Sequence, residues 1–177
     1  MLNAFPANRH SGFSLTELMV GIAIMGILLG LAMPSFRIWL QNSQIRNAAE
    51  SVQNGIQRAR AEAVARNTNV EFVLGVDSSW VVRVANPVSV IESRASTEGS
   101  QNVTRTVLPA GATTITFSNL GAVATNADAS AALAQVDLDS PLLSAADSKD
   151  LRVTVGVGGN ARMCDPNLAS GSSPRAC

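Results

Sequence analysis

The sequence has few of the side chains on which most enzyme chemistry depends. Its 13 basic residues include one lysine, Lys149, its only histidine is His10, and tyrosine is absent from the 177 residues. A single lysine leaves no phosphate loop of the Walker type, and neither a G-x-S-x-G nor an H-E-x-x-H sequence occurs. We therefore expect a structural protein rather than an enzyme, and one that uses no cofactor.

An excess of charge of either sign is also missing. The 13 basic and 13 acidic residues balance, charged residues make up 15% of the chain, and 46% of it is hydrophobic. This composition is neither that of a disordered chain nor that of a strongly basic nucleic-acid binder. Aromatic residues are only 4%, so no platform for stacking bases is visible, and the length fits one modest domain.

A long apolar run near the N-terminus is the strongest feature that the sequence does have. Residues 18–36 read LMVGIAIMGILLGLAMPSF and carry no charge, and a helix needs about 20 mainly apolar residues to cross a bilayer. In an ordinary secretory signal the cleavage site follows the apolar run, whereas here Arg9, His10 and Gly12 precede it. A cut after Gly12 would leave the run on the mature chain and remove the only imidazole, which excludes a histidine-based catalytic triad or metal site.

Glu17 places a carboxylate at the start of this apolar segment. Such a charge near hydrocarbon costs on the order of a few kcal/mol unless it finds a partner, and the positive N-terminus of a neighbouring copy would supply one. The sequence G-F-S-L-T-E at residues 12–17 closely resembles the type IV prepilin signature. The resemblance implies that a prepilin peptidase of the inner membrane cuts after Gly12 and methylates Phe13, and that Glu17 directs the subunit into a growing filament.

One long helix is predicted after the leader of residues 1–12. Residues 13–40 form its transmembrane or filament-core half, and Pro34 is expected to kink or locally melt it because proline removes a backbone donor and clashes with the preceding turn. Residues 41–66 form an amphipathic half, in which apolar residues recur at steps of three and four. These residues are Ile45, Ala49, Val52, Ile56, Ala59 and Ala63. This stripe can be buried only against a domain made by residues 67–177.

Residues 67–177 have the composition of a β-rich globular domain. Hairpins are predicted for 69–74 with 80–85, and for 151–157 with 160–164 across Gly158 and Gly159. Further strands are predicted at 88–92, 103–108, 113–117 and 134–138, and surface loops at 121–132 and 144–150. We predict an α+β fold like that of type IV pilins, with a long N-terminal helix packed on a C-terminal antiparallel sheet. The order of elements resembles that of the minor pilins FimT and FimU and of the secretion pseudopilin GspH.

The tail contains the only two cysteines, Cys164 and Cys177. In a domain delivered past the inner membrane they lie in an oxidising compartment, and two sulfurs without a histidine cannot close a zinc site, so we predict a disulfide and no metal. The bridge would contribute on the order of 3 kcal/mol by limiting the unfolded chain. Asp137 and Asp139 share one face of a predicted strand, a pattern that is commoner on a solvated strand than in a cation site.

Arg162 and Arg175 lie close in sequence to these cysteines. The bridge would bring the two guanidinium groups near each other, and such a pair suits phosphate or carboxylate. DNA-binding pilins of the FimT type carry a G-R-x-R motif near this position, whereas the stretch from Gly159 reads G-N-A-R, with Asn160 in place of the first arginine. The loss of one phosphate contact lowers affinity, so DNA is a partner that these residues do not favour.

The leading hypothesis is a structural minor pilin that assembles into or primes a type IV pilus after leader cleavage and N-methylation. The alternatives are a GspH-like pseudopilin of the type II protein secretion system and a DNA-binding minor pilin for natural transformation. The implied partners are other pilins, the prepilin peptidase, the inner-membrane assembly platform and, before assembly, membrane lipid. We expect a single-pass protein of the bacterial inner membrane with a periplasmic C-terminal domain, found later at the tip of the pilus or pseudopilus. The Cys-bounded tail favours the pilus, because it resembles minor pilins more than secretion pseudopilins.

Overall fold

The computed structural model describes residues 12–171 and 173–177. In this part of the chain one helix, α1 (Leu15–Arg66), is followed by nine short strands. The chain divides into two compact units, one ending at Arg37 and the other comprising Ile38–Cys177. The first unit, as far as it is described, contains the start of α1, and the second contains the rest of the helix and all the strands.

The strands form two antiparallel sheets. The first contains β1 (Val70–Leu74), β2 (Trp80–Val84), β3 (Ser89–Arg94), β5 (Thr114–Phe117) and β6 (Val123–Ala124), in the order β3-β2-β1-β5-β6. The second contains β4 (Thr104–Leu108), β7 (Gln135–Asp139), β8 (Leu151–Val155) and β9 (Ala161–Cys164), in the order β4-β7-β8-β9. The predicted fold class, a long helix followed by an antiparallel β domain, is confirmed.

Both ends of α1 have capping interactions that follow from the sequence. At its start, the backbone N–H of Glu17 donates to Ser14 Oγ at 3.2 Å, as in an N-cap. At its end, Asn67 has a left-handed φ of 51°, and the N–H of Thr68 donates to the carbonyl oxygen of Ala63 at 3.2 Å. This is the long bond of a Schellman motif, and asparagine is one of the few residues besides glycine that tolerate its left-handed position.

The predicted apolar stripe of α1 forms the helical side of the core. All six of its residues are fully buried. At Gly55 the helix approaches the first sheet so closely that a Cβ atom would lie 2.7 Å from the ring of Phe72 and 3.0 Å from that of Trp80. The indole N–H of Trp80 donates to Ser51 Oγ at 2.8 Å, which fixes the ring against the helix. Packing on this side therefore depends on the absence of a side chain at Gly55.

The second sheet completes the core. Val136, Leu138 and Val153 are fully buried on its inner face. The side-chain amide of Gln53 on α1 donates to the carbonyl oxygen of Ala161 at 3.3 Å, which ties the helix to this sheet as well. The C-terminal half of α1 is therefore buried against both sheets.

Both predicted hairpins are present, and one element was missed. β1 pairs with β2, and β8 pairs with β9 across a turn in which Gly159 has a φ of 78°. The predicted loop at 121–132 contains the short strand β6, which pairs with β5 through Thr116↔Ala124 and Phe117↔Val123. Two residues are too few to show a strand alternation, so the sequence did not indicate this strand. β3 also extends to Arg94, two residues beyond the predicted strand at 88–92.

Candidate functional site

The predicted processing segment lies at the exposed start of α1. Of the predicted leader, residues 1–11 lie outside the described residues. Phe13 is 85% exposed, and among the described residues, apart from its chain neighbours, nothing comes within 4 Å of the place where a Cβ atom of residue 12 would be. The described part of the chain therefore does not cover the peptide bond between these two residues, and cleavage there stays a prediction.

Glu17 lies in the first turn of the helix, where it is exposed. Negative charge is favoured there, because the N-terminal end of the helix dipole is positive. Ser14 and Glu17 match the S-x-x-E pattern of a capping box, and the bond from the Glu17 N–H to Ser14 Oγ is the first of its two hydrogen bonds. Ser14 Oγ also lies 3.1 Å from Thr16 Oγ1. Ser14 is thus a positioning residue that the sequence analysis missed, although the S-x-x-E spacing was a signal for it.

The following turns of α1 expose apolar side chains in every direction. All the large apolar residues from Leu18 to Phe36 are more than half exposed. The helix contains one stretch long and apolar enough to cross a membrane, and Glu17 is the only charged residue within 13–36. A helix that is apolar on all sides needs lipid or other protein around it.

Pro34 lies inside α1, and the helix is unbroken across it. Local melting, one of the two effects expected of this proline, does not occur in the structure. The kink stays a prediction.

The disulfide predicted for the tail is present between Cys164 and Cys177. Their Cα atoms are 5.1 Å apart, and 13 positions separate them in the sequence. Beside the bridge, the backbone N–H of Asp165 donates to the carbonyl oxygen of Arg175 at 2.7 Å, and that of Cys177 donates to Asp165 at 3.3 Å. The tail is therefore held to the end of β9 by a covalent bond and by backbone hydrogen bonds.

Arg162 has a structural role that the sequence did not indicate. Its Nη2 donates to the carbonyl oxygens of Pro174, at 3.1 Å, and of Ala176, at 2.9 Å. Arg175 is exposed, and its backbone N–H donates to Ser173 Oγ at 3.2 Å. The guanidinium of Arg162 thus contacts the backbone on both sides of Arg175, and its Nη2 is occupied by these hydrogen bonds. Anion or DNA binding by the pair stays a prediction.

Asp137 and Asp139, on the outward face of β7, have separate partners. Arg152 forms a bidentate ion pair with Asp137, with Nε–Oδ1 and Nη2–Oδ2 distances of 2.6 and 3.0 Å. Ser148 Oγ lies 2.7 Å from Oδ1 of Asp139 and 2.6 Å from Oδ1 of Asp150. A hydroxyl has one proton, so Ser148 donates to one of these carboxylates at a time.

The carboxyl groups of Asp139 and Asp150 titrate differently. Burial raises the pKa of Asp150, and the neighbouring Asp139 raises it further. Burial also disfavours the charged form of Asp139, but hydrogen bonds, chiefly from Ser148, outweigh this effect and lower its pKa. In acid the pair therefore takes up its proton at Asp150 first. Within 12–171 and 173–177, no group of three His, Cys, Asp or Glu residues could hold a metal ion.

Asn42 is a further residue that the sequence analysis missed. Its Nδ2 donates to the carbonyl oxygen of Asp147 at 2.9 Å, and its Oδ1 accepts from the N–H of Lys149 at 2.8 Å. Gln41 Oε1, next to it, lies 3.3 Å from Ser140 Oγ. These contacts join the helix to the segment of residues 140–150 between β7 and β8, which we call the 140–150 loop. No local spacing signals a partner 105 residues away.

Two protein-family models match the sequence. The model described as Type II transport protein GspH matches residues 48–159, and that of the prokaryotic N-terminal methylation motif matches residues 7–33. Together with the fold, these matches define the class of the protein as a minor pilin or pseudopilin of the type IV pilin family. Within that class the chain belongs to the GspH family, whose model covers more than half of it.

Individual relatives are more distant. A fimbrial protein from Moraxella nonliquefaciens is 29% identical over 90 residues, which are 45% of this chain and 58% of that protein. The match thus spans less than two thirds of the relative. Two crystal structures of the type IV minor pilin FimU from Pseudomonas aeruginosa share 16% identity, with TM-scores of 0.49 and 0.48. They cover 75% of this chain and 94% and 98% of the FimU chains.

These matches identify a filament protein of a family of structural subunits rather than known enzymes. The exposed apolar start of α1, within the matched N-terminal motif, is the type of segment that anchors such subunits in a membrane.

Proposed function

We propose that this chain is a minor subunit of a type IV pilus, held in the bacterial inner membrane before assembly with its C-terminal domain in the periplasm. The observation that carries the proposal is the exposed apolar start of α1, in which Glu17 is the only charged side chain. Before assembly, lipid surrounds this segment. In the filament, the helices of other pilins replace the lipid, and the inner-membrane assembly platform carries out the exchange.

Processing creates the N-terminus that this assembly requires. A prepilin peptidase removes residues 1–12 by cutting after Gly12, and Phe13 is then methylated. The new amino group lies four positions before Glu17. When the amino terminus of one subunit meets the Glu17 carboxylate of another, the two charges neutralise each other in an apolar environment where each alone is costly. Pro34 supplies a kink that lets the helix adapt to the filament.

Two observations favour a pilus over a secretion filament. The tail is closed by the disulfide and the Arg162 contacts, and such a Cys-bounded tail resembles those of minor pilins. The relative from Moraxella nonliquefaciens is described as a fimbrial protein. The second candidate, a pseudopilin of type II secretion, is supported by the description of the matched family as a type II transport protein.

DNA uptake is not proposed as the function. Asn160 occupies the place of the first arginine of the G-R-x-R motif, and Arg162 is hydrogen-bonded to the tail.

A deletion strain tests the choice between the two filaments. We expect loss of the gene to reduce surface pili while secretion of type II substrates continues. Loss of secretion with normal piliation would instead establish the second candidate.

Complementation with Glu17→Gln tests the role of the carboxylate. This variant keeps the shape of the side chain but not its charge, and we expect it to enter the membrane normally and to be absent from sheared filaments. Glu50→Gln, on an exposed part of the same helix, is the matched control and should assemble like the parent. Normal assembly of the Glu17 variant would refute the proposed charge pairing.

A further inference from the structure

The 140–150 loop is hydrogen-bonded to α1 near both of its ends, yet it exposes a large apolar side chain. Its two ends contact adjacent helix positions, Ser140 through Gln41 and Lys149 through Asn42. Leu143 packs against the core. Leu142, beside it, is 63% exposed. Leu142 is therefore exposed on a loop whose neighbouring residues are held by contacts with the helix and the core.

The helix next to this loop is apolar as well. Ile38 and Trp39 lie four and three positions before Asn42. Both are therefore on the same face of the helix as Asn42, one turn earlier. Trp39 is 63% exposed, Leu40 is 41% exposed, and Ile38 is half-buried. Because the loop contacts Gln41 and Asn42, Leu142 and this turn of the helix lie at the same end of the domain. We call the apolar side chains of Ile38, Trp39, Leu40 and Leu142 at this end the apolar surface.

The length of the apolar run indicates what covers this surface. Residues 15–36 are 22 residues, which span about 33 Å as a helix, close to the hydrocarbon thickness of about 30 Å. A helix inserted from Leu15 leaves the hydrocarbon near Phe36, so Trp39 falls in the interface, where tryptophan is enriched. Asn42, which fixes the loop, lies one turn further.

We propose that the apolar surface of Ile38, Trp39, Leu40 and Leu142 rests in the headgroup region of the bilayer before assembly, with Asn42 as the residue that positions the loop. This inference rests on the proposed membrane insertion. The exposed charges of the loop near Asn42, Asp147 and Lys149, have opposite signs. Attraction to anionic lipid is therefore not needed, and uncharged phosphatidylcholine is sufficient.

Three single-cysteine variants of the full chain test this contact. The native cysteines are joined in a disulfide, so under non-reducing conditions an environment-sensitive fluorophore labels only the new thiol. The positions are Leu142→Cys on the proposed surface, Val157→Cys on another loop, where Val157 is 93% exposed, and Ile27→Cys within the apolar run. The protein is reconstituted in phosphatidylcholine vesicles that carry a nitroxide quencher either near the headgroup or near the end of the acyl chain.

We expect the probe at 142 to be quenched several-fold more than that at 157 by the shallow nitroxide, and the probe at 27 to be quenched most by the deep one. Asn42→Ala should lower the shallow quenching at 142 and leave that at 27 unchanged. Asn54→Ala, an exposed asparagine on the same helix, is the control and should change neither.

The outcomes that overturn the inference differ from those that overturn the proposed function. If the probe at 142 is as weakly quenched as that at 157 while 27 is deeply quenched, the span is correct and the membrane contact of the loop is wrong. Protection of 142 in filaments but not in vesicles would assign the surface to a neighbouring subunit and would likewise refute the membrane contact. An unquenched probe at 27 would refute the membrane span, and this inference with it.

Discussion

Arg162 donates a hydrogen bond from its guanidinium to the carbonyl oxygen of Ala176, at 2.9 Å, immediately before the disulfide-bonded Cys177. An arginine on a strand edge and the last residues of the chain are thereby joined, next to the covalent bridge that closes the same segment. The disulfide and the Arg162 hydrogen bonds both hold this polar tail, and their contributions to the free energy of unfolding can be separated by mutation.

The two arginines of the tail should respond differently to alanine substitution. Arg162→Ala removes the side-chain bonds to Pro174 and Ala176, and we expect a loss of about 1 kcal/mol in the free energy of unfolding, the usual value of a partly exposed hydrogen bond. Arg175→Ala should change it little, because the hydrogen bond that Arg175 donates to Ser173 comes from its backbone N–H, which alanine keeps. Urea unfolding measures the difference, and amide exchange of residues 165–177 locates it. Equal effects of the two substitutions would contradict the structural role of Arg162.

Removal of the disulfide should cost more. With 13 positions between Cys164 and Cys177, the Cys164→Ser, Cys177→Ser double variant should lose about 3 kcal/mol by the loop-entropy model. Because the bonds of Arg162 need an ordered tail, adding Arg162→Ala to this variant should cost less than it does in the parent. A double-mutant cycle by urea unfolding measures this coupling. Strict additivity would show that the tail stays in place without its bridge.

Asp150→Asn should stabilise the protein at neutral pH. The folded-state pKa of Asp150 lies above its usual value of 3.8, so its contribution to stability is present below that value and is lost as the pH rises through the raised pKa. Asparagine stays neutral, so the gain over the parent should be largest at neutral pH and should vanish in acid. Thermal unfolding between pH 3 and 7 measures this gain.

Asp139→Asn provides the opposite case at the same site. The pKa of Asp139 is lowered from 3.8, so its contribution is present above 3.8 and is lost as the pH falls through the lowered value. This variant should therefore be less stable than the parent at neutral pH and should approach it in acid. A loss of stability at neutral pH for Asp150→Asn would contradict the assignment of the two groups.

Gly55→Ala tests the contact between α1 and the first sheet. The added methyl group would lie 2.7 Å from Phe72 and 3.0 Å from Trp80, and such overpacking costs typically 1–3 kcal/mol, more than the roughly 0.5–1 kcal/mol that alanine gains over glycine within a helix. Asn54→Ala, at the adjacent exposed position, has only the favourable helix effect. We expect thermal unfolding to show a lower Tm for the first variant and an unchanged or higher Tm for the second.

Features with a local period or motif could be predicted from the sequence. The stripe from Ile45 to Ala63 is visible because apolar residues recur at helical spacing, and each of its members is buried. The paired strands β1 and β2 are visible because their apolar runs flank turn residues. The N-terminal methylation motif is visible because its residue types and spacing are specific, whereas the cut after Gly12 stays a prediction. Each of these signals is contained in a short stretch of chain.

Features that arise only from the fold could not be predicted in this way. The role of Asn42 depends on carbonyl and amide groups more than one hundred residues away. The sequence offered Arg162 only as a candidate anion contact, which it did not favour, and nothing in the spacing of Arg162 shows that its side chain bonds to the tail carbonyl groups. The different titration of Asp139 and Asp150 likewise requires the loop to bring them to one hydroxyl.

The most direct test of the proposed filament subunit is mass spectrometry of this chain recovered from sheared and washed pili. The account predicts that the chain is present in the filaments, that its first residue is Phe13, and that the amino group of Phe13 carries one methyl group. Detection of the chain only in the membrane fraction, with residues 1–12 still attached in cells that have an active prepilin peptidase, would contradict it.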